Sequence, residues 1–327
     1  TKKKSSKPGP GIAHMGLFHT FVLGNSLQQT IWLNLLTEAD LQSWNIFAKG
    51  VGKAPWEKMP EGEDCATAQD LKQSLMGRLV PLCRFCLLKE NGIHVTEGLQ
   101  HLSHKDGMFD PSITLKKPEG KKKERKVIWA DPNKRPWREL TGLLSFINGE
   151  QDCFQLYFAL PRAFKFKPDQ QNMYAECGIW SGGFRVSSNA GEQYATGTDD
   201  NVEAHYAIPS KEDRGGWFDN FKQEMSELEA LAKKLYGSVM HYFKEQNFEG
   251  QDLASAATAI FWQLCESQAQ ALLNDCDNID EIKKLRQCFS GYLRQTYDQF
   301  CFGQTARQLD AWAKCRPNTA KYIELRR

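Results

Sequence analysis

At 327 residues the chain exceeds what one small core requires, and its length predicts two domains. Its 9 Trp, 19 Phe and 9 Tyr exclude a disordered polymer. No apolar run reaches the roughly 18 residues that a membrane-spanning helix needs. The formal net charge of +2 averages over local asymmetry. Lys2, Lys3, Lys4 and Lys7 crowd the start, and seven basic residues between Lys116 and Lys126 face only Glu119 and Glu124. Lys134, Arg135 and Arg138 follow, whereas Glu224, Glu227 and Glu229 make a later stretch acidic. The ordinary fate of such runs is solvation, and the sharper alternative is contact with nucleic acid. Several of the ten cysteines sit at or beside apolar positions, where a reduced thiol behaves as a small hydrophobe. A reducing cytoplasm is therefore the expected location. A start at Thr1 without methionine is read as the later portion of a longer protein.

In chain order, residues 1–11 are rich in Lys, Ser, Pro and Gly and offer nothing to a core. They read as a loop whose lysines could meet phosphates and whose Gly9 and Gly11 permit close backbone approach, without the spacing of a phosphate-binding motif. Leu27, Ile31, Trp32, Leu35 and Leu36 predict a helix ending before Trp44, and a Pro/Gly-rich loop covers 50–63. The region 71–208 reads as mixed, with strands expected at 79–88, 113–115, 127–129, 154–160 and 204–208. Pro136 opens a short amphipathic helix through Trp137, Leu140, Leu143, Leu144 and Ile147. Glycines and small polar residues in 178–201 predict a tight turn or hairpin tip. Gly215 and Gly216 mark a boundary, giving a mixed domain over 1–216 and a helical one over 217–327. In the latter, Phe221, Met225, Leu228, Leu231, Leu235, Val239 and Phe243 recur at steps of three and four. A second run spans Leu253 to Leu272, and a third begins at a capping box of Asn278 and Glu281. Pro317 should kink or restart the fourth. The fold class is thus α+β, an irregular mixed domain followed by a C-terminal four-helix bundle.

Several constellations invite chemistry. Cys83 and Cys86 form a CxxC with His94, His101 and His104 downstream, a possible tetrahedral zinc set. No second CxxC supports it, and a strand would turn the two thiols apart, so no metal is expected. Asp199 and Asp200 could bind magnesium, though adjacent carboxylates in a glycine-rich turn are ordinarily solvated. His14, His19, Asp106, Asp110, His205 and His241 form no recognisable triad, and no Walker lysine or dinucleotide fingerprint occurs. No cofactor and no catalytic residue is expected. The residues alone describe a two-domain binding protein.

A family resemblance narrows this. Thr20, Phe21, Val22, Gly24, Leu27, Thr30, Ile31, Leu33, Asn34 and Leu36 resemble the T-F-V-x-G-x-x-L-x-x-T-[VI]-x-L-N-x-L signature of CasA. CasA is the large subunit of the type I-E CRISPR Cascade complex. Asp106 to Ser112, Gly182-Gly183-Phe184-Arg185, and the helices through Leu235, Tyr236, Phe261 and Glu266-Ser267-Gln268 are similar to later family stretches in the same order. The resemblance implies a DNA reader that is not an enzyme and whose family N-terminal portion lies before Thr1. It implies duplex target DNA, a guide RNA, the other Cascade subunits and a helicase-nuclease as partners, and no membrane. In the family a glycine-rich loop and a lysine read the protospacer-adjacent motif from the minor groove, and a glutamine-tipped hairpin wedges the strands apart. The glycine loop falls on residues 3–11, where lysines replace most glycines and favour phosphate contact, so Lys2, Lys3, Lys4, Lys7, Gly9 and Gly11 are its binding candidates. The family lysine falls near Gln100, with Lys105 the nearest ammonium. The wedge falls on residues 186–189 after Arg185, so Ser187, Ser188, Asn189 and Gln193 are its candidates. A protein–protein adaptor without DNA contact is the alternative.

Overall fold

The computed structural model describes residues 18–43, 47–80, 82, 84–99, 113–116, 126–148, 154–165, 177–185, 187–189, 192–194 and 201–324. The chain divides into two compact units, Thr1–His205 and Tyr206–Arg327.

The first unit starts from a strand–helix corner. β1 (His19–Leu23) leads through Ser26, whose side chain accepts from Gln29 N, into α1 (Leu27–Asn34). Asn34 then reaches back to the strand. Its Nδ2 donates to Val22 O at 2.7 Å, and Val22 N donates to its Oδ1 at 3.0 Å. One side-chain amide thus supplies what a neighbouring strand's peptide would, and satisfies both backbone groups of a residue with no exposed surface. Gly24 N donates to Thr30 Oγ1 at 2.9 Å, and the Thr20 and Ser181 hydroxyls meet at 3.2 Å. Thr20, Gly24, Thr30 and Asn34 of the family signature therefore hold this corner.

After α2 (Glu38–Ser43), the helices α3 (Ala66–Lys72) and α4 (Leu75–Leu79) precede a hairpin of β2 (Arg84–Lys89) and β3 (Gly92–Glu97). The strand expected over 79–88 begins only at Arg84, because Ser74 caps a helical turn that runs to Leu79. Cys86 pairs with Val95, and His94 with Leu87, which sets Cys86 and His94 on opposite faces of this ribbon. Cys83, His101 and His104 lie outside the described residues. A short ladder joins β4 (Leu115–Lys116) to β5 (Lys126–Val127), packing Ile113, Leu115 and Val127 together. The helix expected after Pro136 is broken into a 3-10 turn at Pro136–Glu139, α5 (Leu140–Leu143) and a second 3-10 turn at Ser145–Asn148. Its apolar side chains Trp137, Leu140, Leu143 and Leu144 are nevertheless all buried.

The strand expected over 154–160 is a helix, α6 (Phe154–Lys165). Leu156, Ala159 and Leu160 are buried apolar positions, a three-and-four spacing hidden inside a largely apolar run. α6 ties to the corner where Gln155 Nε2 donates to Asn34 O at 2.7 Å and Arg162 pairs with Asp40. Burial raises the Asp40 pKa, but hydrogen bonds from Thr37 and Arg162 outweigh it and hold the carboxyl below its usual range. β6 (Cys177–Phe184) lies antiparallel to β1. The hairpin β7 (Ser187–Asn189) and β8 (Glu192–Tyr194) follows, then β9 (Asn201–Ile208), completing a sheet of order β1-β6-β9.

In the second unit, α7 (Arg214–Glu245) starts at Asp213, whose Oδ1 accepts from Gly216 N at 3.0 Å. The glycine pair proposed as a domain boundary therefore lies in the first turn of α7. The second apolar run is split at Ser267 and Gln268 into α8 (Gln251–Glu266) and α9 (Ala269–Asp275). α10 (Ile279–Phe300) begins at Asn278, which accepts from the amides of Asp280 and Glu281. The reciprocal capping box occurs instead at Thr305 and Gln308, opening α11 (Ala306–Cys315), and Pro317 separates it from α12 (Ala320–Ile323). α7 packs on α8, α10 and α11 around Phe221, Leu228, Leu235, Phe261, Phe289 and Leu293. Within this apolar interior Arg286 donates two 2.8 Å bonds to the Glu224 carboxylate and a third of 2.8 Å to Tyr322 O. Its guanidinium also lies 5.2 Å from the centre of the Tyr322 ring, fastening α12.

Candidate nucleic-acid interface

The candidate wedge grows out of the end of β6. Trp180 stacks on its β1 partner Phe21 with ring centres 5.7 Å apart, and its Nε1 donates to Glu203 Oε2 at 2.9 Å. Two residues on, Gly182 lies so near β9 that a Cβ would come within 2.4 Å of Val202 O. Only glycine allows the strands to approach this closely. Gly183 is buried, and the chain then emerges at Phe184, 54% exposed, and at exposed Arg185. Arg185 has no ion pair among the described residues.

The hairpin follows immediately. Ser187 pairs with Tyr194, Ser188 with Gln193 and Asn189 with Glu192. Two positions, 190 and 191, separate the last pair, the spacing of a two-residue hairpin loop. Asn189 and Glu192 are the described pair nearest the turn, and Gln193 stands one pair further back, across from Ser188. The strands thus bring Ser187, Ser188, Asn189 and Gln193 into one short ribbon, with Arg185 two positions before β7 in the chain. Amide side chains on such a ribbon can donate to and accept from base edges. Antiparallel pairing fixes the register of its two strands.

The remaining candidates, Lys2, Lys3, Lys4, Lys7, Gly9, Gly11, Gln100 and Lys105, lie outside the described residues, as do Asp199 and Asp200. Among the described residues no three His, Cys, Asp or Glu side chains cluster as metal ligands. No described helix is long and apolar enough to cross a membrane. Phe184, named in the sequence only as part of the Gly182–Arg185 stretch and not as a site candidate, is exposed directly after two glycines. Sequence patterning also passed over Trp56, an aromatic flanked by Lys53 and Lys58 in the 50–63 loop.

The fold is a mixed sheet-and-helix unit bearing a short hairpin, followed by a helical unit. A sequence model of the family "CRISPR-associated protein Cse1" matches residues 2–300, and the chain belongs to that family. Its fold is similar to that of CasA from Thermus thermophilus, at TM-score 0.65 and 16% identity over 94% of this chain and 64% of that one. Thermobifida fusca Cse1 is similar at TM-score 0.65 and 16% identity, over 94% and 63% of the two chains. A chain described as a CRISPR RNA-guided surveillance complex is similar at TM-score 0.58 and 15% identity, over 92% and 59%. This chain thus spans less than two thirds of the length of those relatives. No curated protein sequence matches it. The α+β fold with a helical C-terminal unit is the fold of these relatives.

Proposed function

We propose that this chain is the large subunit of a type I-E CRISPR Cascade complex, reading the protospacer-adjacent motif on duplex DNA and parting the strands beside it. The observation that carries the proposal is the β7–β8 ribbon issuing from Gly182, Gly183, Phe184 and Arg185. Membership of the Cse1 family supports it, as does likeness to a chain of an RNA-guided surveillance complex. In this function the lysines near the start neutralise phosphates, and Lys105 or its neighbours complete motif recognition. Asn189 and Gln193 substitute for base-pair hydrogen bonds as the ribbon enters the duplex. Opening a base step costs a few kcal/mol, which the inserted groups offset in part before guide RNA pairing takes over. The bundle positions a helicase-nuclease, and the chain itself makes and breaks no covalent bond.

The test uses the assembled complex carrying Asn189→Ala with Gln193→Ala. Strand opening, followed by a fluorescent base analogue beside the motif, should slow by about tenfold or more. That factor corresponds to one or two amide–base contacts of about 1–3 kcal/mol each. Initial duplex binding in a gel shift should change far less. Normal opening rates would remove the wedge.

One observation favours the adaptor as a second reading. Leu27, Ile31 and Leu35 form an exposed apolar ridge at i, i+4 and i+8 along and just beyond α1, suited to a protein partner. An adaptor would leave motif-dependent DNA binding unchanged when the chain is omitted from the complex.

A further inference from the structure

A second basic and aromatic surface occurs in the first unit, apart from the hairpin residues and independent of the family assignment. The loop 47–58 is held rigidly. Lys49 N donates to Gln73 O at 3.1 Å, Leu75 N to Gly50 O at 3.0 Å and Met76 N to Val51 O at 2.9 Å. Gly50 and Gly52 take φ of +61° and +68°, and a Cβ on Gly52 would meet Ser74 at 2.3 Å. A tight turn follows over Ala54, Pro55, Trp56 and Glu57, closed by Glu57 N donating to Ala54 O at 3.0 Å. Ala54 N donates in turn to Glu57 Oε1 at 3.1 Å. Ala54 and Pro55 are buried and anchor the turn, yet Trp56 is 71% exposed. Leaving an indole in water while fixing its backbone forgoes the largest apolar gain available to the loop.

Beside this turn lies a cavity of about 300 Å³ whose lining includes Lys49, Lys53, Lys58, Thr67, Asp70 and Ser74 together with the apolar Ala54 and Leu71. Lys53 and Lys58 have no ion pair among the described residues. The acidic groups nearby are engaged: Asp70 pairs with Lys49 at 3.3 Å, Glu57 accepts from Ala54 N, and Glu63 lies 4.0 Å from Lys72. The Lys49–Asp70 pair is solvent-exposed and is displaced at small cost.

We propose that this loop is a contact for single-stranded nucleic acid, with Lys49, Lys53 and Lys58 on successive phosphates and Trp56 stacked on a base. Ammonium groups that track a backbone beside a free aromatic face are what an unpaired strand requires. A duplex keeps its bases stacked and offers Trp56 no face. Protein interfaces deplete lysine at their centres, which disfavours a protein occupant.

The test measures fluorescence anisotropy of the purified chain with labelled twenty-nucleotide oligo-dT and oligo-rU, over a range of salt. Trp56→Ala should weaken binding about five- to a hundredfold, the equivalent of one lost stack. Trp56→Phe should recover much of it. Lys53→Ala with Lys58→Ala should flatten the salt slope by about 1.4, two phosphate contacts at about 0.7 each. Circular dichroism of each variant checks the fold. Loss on dT alone, rU alone or both would assign DNA, RNA or either to the loop. Absence of binding, or equal affinity and salt slope for wild type and loop variants, would overturn the proposal while leaving the hairpin function untouched.

Discussion

Replacing Asn34 by alanine should break the corner on which the first unit is built. The side chain makes bonds to Val22 N at 3.0 Å, Val22 O at 2.7 Å and Thr30 O at 2.7 Å, and accepts from Gln155 Nε2 at 3.2 Å. Thr30 O also serves the α1 helix, and Gln155 keeps its bond to Asn34 O, so those losses are partial. Val22 N–H and C=O have no such reserve, because Val22 has no exposed surface. Each buried group left without a partner costs about 1–3 kcal/mol, so the substitution should cost about 2–5 kcal/mol. Asn34→Asp should also destabilise near neutral pH, since a carboxylate can accept from Val22 N but repels Val22 O. Amide hydrogen exchange read on peptides covering 18–34 localises the effect without requiring whole-chain unfolding to be two-state. Protection at the Val22 amide should fall by about thirtyfold or more in the alanine variant, the lower bound of that cost. Unchanged exchange across the corner would refute the claim that the family signature is architectural.

Two further outcomes follow from the second unit. Arg286→Met should destabilise the bundle by about 3–5 kcal/mol, because Glu224, 7% exposed, would be left charged and unpaired; adding Glu224→Met should recover most of that loss in urea titrations. A double variant no more stable than Arg286→Met would disprove the pairing account. Cys276 and Cys301 have pKa values pushed up to about 12 by burial, with Asp277 and Cys315 adding to the respective effects. Their thiols stay protonated in the fold after the unfolded chain has released its protons, so stability is fully present below about pH 8.5 and declines as pH rises towards 12. Thermal melts between pH 8 and 11 check the sign, and replacement of both cysteines by alanine should flatten the profile.

The β7–β8 register explains why the wedge candidates could be gathered from sequence but not ordered. Glycines, Arg185 and the short polar run mark a hairpin, yet several pairings suit such a segment. The observed register alone sets Gln193 across from Ser188 and Asn189 beside the turn. Position 154–160 shows the complementary limit: a short apolar run satisfies a buried strand and a buried helix equally, and contact with the β1–α1 corner decides for helix.

What the chain determines by itself is whatever repeats along it over many residues. The apolar stripe of α7 recurs over eight turns or so, and no other conformation buries Phe221, Leu228 and Leu235 together. Capping at Asn278 and the break at Pro317 are equally local, because the groups they satisfy lie within a turn of them. Tertiary structure decides where a residue's role depends on partners distant in sequence. Gly182 must be glycine because of Val202 and Glu203, and Gln155 serves a residue 121 positions earlier. Trp56 stands in water while its neighbours Ala54 and Pro55 are buried, a division set by the fold around the turn. Local periodicity carries no information about such encounters, since side chains far apart along the chain meet only after the backbone has closed around them.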